Sequence, residues 1–133
     1  MKKTIVVFIL CLLITGCTTT DQVRAKNRLN LLKLSVGITK EEVLNIMGTE
    51  TIKTYDYGGP TINNPYRNEI LQGKDKTFEV LYYYTDKKND IGYYGVIITD
   101  DELTPLVFDD GKLIGWGWLF VQENIQKYEI RLR

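Results

Sequence analysis

The chain opens on an unbroken apolar run. Ile5 to Ile14 is ten residues long, and Lys2 and Lys3 stand before it. Beyond Thr18-Thr19-Thr20 the pattern becomes amphipathic. Ala25, Leu29, Leu32 and Val36 recur near helical spacing, with Arg24, Lys26, Arg28 and Lys33 between them. That periodicity predicts a helix over Val23–Leu34, with Gly37 as its terminator. A second helix has a stronger start signal. Thr39-x-x-Glu42 is a capping box, Ile38 and Val43 occupy the staple positions, and Gly48 is a natural stop. Val43, Leu44 and Met47 form its expected buried face. The helix is too short to stand alone and must pack on the first helix and a sheet.

The pattern then turns to strands. Lys53–Tyr57 reads as a short one. Gly58-Gly59-Pro60 and Asn63-Asn64-Pro65 break regular structure, so the segment to about Lys76, with Tyr66, Arg67 and Glu69, reads as a long loop. Phe78–Thr85 is a strand. It carries Phe78, Val80, Tyr82 and Tyr84 on one face and Leu81 and Tyr83 on the other. Asp86–Asp90 is a charged turn, and Tyr93–Thr99 is β-rich. Thr104–Phe120 reads as a hairpin about Asp110-Gly111, a pair suited to a type I′ turn. A two-residue loop sets Asp109 opposite Lys112, Phe108 opposite Leu113, Val107 opposite Ile114 and Pro105 opposite Trp116. Pro105 therefore belongs at a strand start or edge. Ile114, Trp116, Trp118 and Phe120 would share one face. The other, with Gly115 and Gly117, would leave a shallow groove or admit a neighbouring element closely. From Gln122 two patterns compete. Ile125 and Tyr128 suit a helix, whereas Tyr128, Ile130 and Leu132 alternate as a strand.

The apolar leader changes the picture most. Ten residues cannot cross a hydrocarbon core of about 30 Å as a helix, which needs about 20. Positive residues, an apolar run and a small Thr15-Gly16 pair fit a secretory signal. Leu13-Ile14-Thr15-Gly16-Cys17 resembles the bacterial lipobox. The resemblance implies cleavage before Cys17, a diacylglyceryl group on its thiol and an N-acyl lipid on its new amino terminus. Thr18 stands where an Asp commonly retains such proteins in the inner membrane, so the resemblance favours the outer membrane, with the domain facing the periplasm. The expected division is a signal peptide at 1–16, a lipid-attached linker at 17–22 and a single domain at 23–133.

Two further resemblances concern the domain. Leu34-Ser35-Val36-Gly37-Ile38-Thr39-Lys40-Glu41-Glu42-Val43-Leu44-Asn45-Ile46-Met47-Gly48 resembles a signature of the SmpA/OmlA family of small outer-membrane lipoproteins, to which BamE of the β-barrel assembly machinery belongs. Thr104-Pro105-Leu106-Val107-Phe108-Asp109-Asp110-Gly111-Lys112-Leu113-Ile114-Gly115-Trp116-Gly117 is similar to a TPLVF-x-DG-x-L-x-GWG run of an uncharacterised proteobacterial lipoprotein family. Leu103 stands where some of those relatives carry a Cys. Together they imply an α+β fold, with two N-terminal helices packed on an antiparallel β-meander of three or four strands. They imply no catalytic residue.

Composition narrows the chemistry. Removal of residues 1–16 from the 133 leaves 117, one domain. Lys+Arg then falls from 17 to 15 while Asp+Glu stays at 17, so no basic excess exists to hold nucleic acid. The chain has no His, which excludes His-based zinc sites and Ser-His-Asp triads. Cys11 leaves with the signal and Cys17 is committed to lipid, so no disulfide remains. The carboxylates Asp100-Asp101-Glu102 and Asp109-Asp110 lack calcium-loop spacing, and the latter pair is explained by the turn.

The expectation is a non-enzymatic lipoprotein without metal or cofactor beyond the lipid on Cys17. It acts as a protein-interaction or scaffold module in the envelope, tied to outer-membrane assembly or integrity. Its partners are membrane lipid, through Cys17, and an envelope protein, through Trp116, Trp118, Tyr66 and Arg67. The alternatives are a periplasmic binding or inhibitor module with an aromatic sheet face, and a carboxylate-based envelope enzyme.

Overall fold

A computed structural model describes residues 18–54, 61–88 and 98–129. The leader, Cys17, the end of the strand expected at 53–57, the β-rich run 93–97 and Arg131 and Arg133 lie outside these residues. In chain order the elements are α1 (Thr20–Leu31), α2 (Lys40–Met47), β1 (Thr51–Lys53), β2 (Thr61–Asn63), β3 (Arg67–Gln72), β4 (Thr77–Tyr84), a 3-10 turn (Asp100–Glu102), β5 (Leu103–Asp109), β6 (Lys112–Trp116) and α3 (Trp118–Tyr128). Strands β3-β4-β5-β6 form an antiparallel meander, and β1-β2 a separate two-stranded sheet. The expected α+β class, with two N-terminal helices followed by a four-stranded meander, is observed.

Strand β4 organises the core. Phe78, Val80, Tyr82 and Tyr84 face one side, joined by Val23, Ile62, Val107 and Val121. Leu81 and Tyr83 face the other, joined by Leu34, Val43, Met47, Leu106, Phe108 and Leu113. The alternation read from the sequence is therefore correct, and both faces are covered. Helix α2 covers the second face. Its Thr39 cap accepts from the Glu42 amide, and the Glu42 carboxylate accepts from the Thr39 amide, as expected. Val43 and Met47 are buried, and Leu44 is half-buried. Residues 37–40 do more than join the helices. Gly37 and Lys40 donate to the Leu113 and Gly111 carbonyls, and Leu113 donates to Ile38. They thereby pair the outer edge of β6, which would otherwise offer free backbone groups.

Helix α1 departs from its expected form. It begins at Thr20, capped by Thr19 and closed by Gln22 in a capping box, so the tether read as reaching Gln22 is shorter. It ends at Leu31. Its buried residues are Thr20, Val23, Arg24, Asn27 and Asn30, while Leu29 and Leu32 are 61% and 82% exposed. The apolar stripe thus points outward. The cause lies in what α1 rests on, the end of β4, where the chain leaves the sheet. Asn27 Nδ2 donates to the Tyr84 carbonyl at 2.8 Å, and Arg28 donates to that of Thr85. Arg24 donates to the Tyr84 hydroxyl. Buried carbonyls need donors, and these outweigh the apolar stripe in setting the rotation of α1.

The long loop expected at 58–76 is corrected too. It contains β2 and β3, with Asn64-Pro65 cis between them. Edge strand β3 is polar along one side, which makes it resemble a loop in sequence. In the expected hairpin, Asp109 does face Lys112 and Phe108 does face Leu113. Beyond them a bulge inserts Ile114, so Val107 faces Gly115 and Leu106 faces Trp116. Pro105 sits opposite Tyr82 within an inner strand. Its carbonyl accepts from Gly117 where β6 has ended, so on that side no partner is left wanting its missing N–H.

The largest correction is α3. Trp118, Leu119 and Phe120 are its first turn, not the end of a strand, and the helix resolves the ambiguous tail up to Tyr128. Gly117 makes the switch at φ 91° and ψ 157°, a region nearly closed to other residues. Gly115 makes room for α3, because a Cβ there would enter the Phe120 ring. Gly117→Ala should cost about 1–3 kcal/mol, read as a lower urea midpoint. An unchanged midpoint would show that the switch does not depend on glycine.

Candidate protein-docking site

Antiparallel pairing places Arg67 opposite Tyr82 and Glu69 opposite Val80. Residues two apart share a strand face, so Arg67 and Glu69 flank Tyr82 on the side where α3 packs. The Tyr82 hydroxyl donates to Glu69 Oε2 at 2.9 Å. The Arg67 guanidinium lies over the Tyr82 ring, 4.2 Å from its centroid. Trp118, at the start of α3, meets Tyr82 with ring centroids 5.9 Å apart, and its Nε1 donates to the Leu103 carbonyl at 2.8 Å. Asp100, on the 3-10 turn, accepts from Arg67 Nη1 at 2.9 Å. Arg67 Nε is buried without a hydrogen-bond partner.

The structure therefore brings Arg67 and Trp118 together around Tyr82. Tyr66 adjoins them along the chain. Its amide donates to the Tyr82 carbonyl at 2.7 Å, and it is 36% exposed. Trp116 does not belong with them. It is half-buried against the α2-covered face, on the opposite side of the sheet. The aromatic strand face expected to unite Ile114, Trp116, Trp118 and Phe120 does not exist. Cys17 lies outside the described residues. Sequence reading missed Glu69, Tyr82 and Asp100 as members of this cluster. Recognising β3 as a strand would have supplied the i, i+2 relation of Arg67 and Glu69.

Burial, and then the bond to Glu69, pushes the Tyr82 phenol up to about 12. Tyr82 therefore stays protonated at neutral pH, unsuited to act as a base or nucleophile. Burial also raises Tyr83, whose hydroxyl donates to the Gly48 carbonyl at 3.1 Å. A phenol raised on folding contributes stability fully present below its usual pKa of about 10, and lost as pH rises toward the folded value. Stability should thus fall between pH 10 and 12, and fall less in Tyr82→Phe. Urea midpoints across that window check this, and identical slopes would refute it.

Among the described residues, no group of three or more His, Cys, Asp or Glu could hold a metal ion. Also among them, no helix is long and apolar enough to cross a membrane. The cluster combines a guanidinium over an aromatic ring, a second aromatic tilted against that ring, and carboxylates bonded to Arg67 and Tyr82. Arg and large aromatics dominate the binding energy of protein interfaces.

Comparison with known proteins places the chain in a family. The DUF3192 family, described as a protein of unknown function, matches residues 15–123. The chain belongs to that family. No curated protein matches it, and no solved structure does.

Proposed function

We propose that the chain is a membrane-anchored lipoprotein whose domain serves as a non-enzymatic protein-interaction or scaffold module in the bacterial envelope. The observation that carries this reading is Leu13-Ile14-Thr15-Gly16-Cys17, a lipobox in register with a charged start and an apolar run. Thr18 in place of Asp favours the outer membrane, with the domain on its periplasmic side. Diacylglyceryl and N-acyl chains on Cys17 are the anchor, since one myristoyl-sized chain binds only marginally and two signals bind stably. Tyr66, Arg67 and Trp118 are the proposed partner surface. Arg67 and Asp100 keep 40% and 66% of their side-chain surface, enough to meet a partner.

An inhibitor module using an open aromatic sheet face finds less support, because both sheet faces are covered. A carboxylate enzyme finds less support too, because the buried Glu102 carboxylate is engaged by the Lys88 and Thr99 amides.

Two measurements test the proposal. Cys17→Ser should remove the acyl mass and release the protein from the membrane fraction. An unmodified thiol at Cys17 in wild type would end the localisation reading. A photo-crosslinker at position 66 in native membranes should capture an envelope protein, with yield reduced by Arg67→Ala. Capture of phospholipid alone would overturn the interaction reading.

A further inference from the structure

Helix α1 buries Val23 in the core but leaves further apolar residues, on it and just after it, in the open. Leu29, Leu32 and Val36 are 61%, 82% and 66% exposed. Leu29 lies on the last turns of α1, Leu32 caps its C-terminal end, and Val36 sits in the turn that follows. The inward face meanwhile holds Arg24, Asn27 and Asn30. An exposed stripe of this kind, on the first element of the domain, calls for a covering surface.

The surrounding charge indicates which. Between Gln22 and Lys40 the basic residues are Arg24, Lys26, Arg28, Lys33 and Lys40, and there is no acidic residue. Lys26 and Lys33 flank the stripe with exposed side chains; Lys26 pairs with Glu50, and Lys33 donates to Asn30 Oδ1. An apolar surface bordered by lysines matches the headgroup boundary of an anionic bilayer.

Chain length points the same way. One residue, Thr18, separates Cys17 from the Thr19 cap, so the two residue steps span at most about 7 Å at 3.3–3.6 Å each. Helix α1 is about 18 Å long at 1.5 Å per residue. A lipid on Cys17 therefore holds the start of α1 at the headgroups, within reach of laying its outward face on them.

We propose that α1 and the turn that follows it form an interfacial segment, lying along the membrane that anchors Cys17 with Leu29, Leu32 and Val36 inserted and Lys26 and Lys33 at the lipid phosphates. This deepens the lipoprotein reading and rests on it. It makes the bilayer a second ligand of the domain, one that fixes orientation. The covalent anchor alone would leave the domain free to tumble.

The test uses the full acylated protein in vesicles of phosphatidylethanolamine with a minority of phosphatidylglycerol. Nitroxide labels are placed by Leu32→Cys and Val36→Cys, and by Asn45→Cys on exposed α2 as a reference. These positions are exposed, so the fold tolerates the label. The expected result is that labels at 32 and 36 collide more with oxygen than with a water-soluble nickel chelate, while the label at 45 shows the reverse. Water-like labels at 32 and 36, with Cys17 acylated by intact mass, overturn this inference alone. Labels shielded from both reagents mean that a second copy of the chain covers the stripe, and also overturn it. An unmodified Cys17 sinks the anchor reading and this inference with it.

Discussion

Asn27→Ala is expected to lower stability by about 3–5 kcal/mol, as one to three for each buried polar atom left without its partner. Asn27 is fully buried in the middle of α1. Its Nδ2 donates to Asn64 Oδ1 at 3.1 Å and to the Tyr84 carbonyl at 2.8 Å, while its Oδ1 accepts from Asn64 Nδ2 at 3.0 Å. The two amides satisfy each other in a site closed to water, since Asn64 is 3% exposed. Alanine would strand both polar atoms of Asn64. That loss is a large part of the roughly 5–15 kcal/mol that holds a typical domain. The outward neighbour supplies the contrast. Leu32→Ser, at a site 82% exposed, should move the urea midpoint little. Replacing both amides by leucine should recover much of the loss, because removing both partners together leaves fewer atoms wanting bonds. A midpoint for Asn27→Ala within error of wild type would refute the latch. A normal loss with no recovery in the double variant would assign it to packing instead.

The same helix shows what the sequence made legible. Thr39-x-x-Glu42 announced α2 because a side chain and a backbone amide three residues apart suffice to define a cap. Thr19-x-x-Gln22 is the same device on α1, and it was hidden inside a run of threonines that reads as a tether. The apolar period of α1 was real, but a period gives a stripe and not its direction. Direction was set by the carbonyls at the end of β4, 57 residues away in the chain, which local pattern cannot see. Strand β3 escaped notice for a related reason. An edge strand keeps one side toward solvent, so Arg67, Asn68 and Glu69 look like loop residues until Tyr82 is placed beside them. The Asp110-Gly111 turn fixed the first two pairs of its hairpin by geometry, and the bulge at Ile114 broke the rest of the register. Nothing short-range marks that insertion, nor the change from strand to helix at Gly117, where the apolar residues simply continue. Arg67 and Trp118 were therefore legible as residue types suited to an interface, while their meeting on Tyr82 depended on pairings that only the fold supplies.

Glu102→Ala is expected to cost about 3–5 kcal/mol, because a carboxylate that accepts backbone N–H groups makes bonds of about 1.5–3 kcal/mol each. Glu102 is 2% exposed. Its Oε1 accepts from the Lys88 amide at 2.9 Å and its Oε2 from the Thr99 amide at 2.9 Å. Its own carbonyl accepts from the Thr85 and Asp86 amides, each at 3.0 Å. One residue thus ties the end of β4 to the start of the 3-10 turn, holding Lys88 and Thr99 together as a neck. This gives the acidic triplet a structural purpose, and its members should separate on mutation. Asp100 and Asp101 are exposed, so Asp100→Asn and Asp101→Asn should each change stability by no more than about 1 kcal/mol. Asp100→Asn should still weaken partner capture, since Asp100 holds the Arg67 guanidinium. Glu102→Gln retains one acceptor oxygen and should fall between wild type and alanine. Amide exchange provides the selective readout: in Glu102→Ala, the Lys88 and Thr99 amides should lose protection before those within β4. If all three substitutions cost the same, or if exchange at Lys88 is unchanged, the neck is not held by this carboxylate.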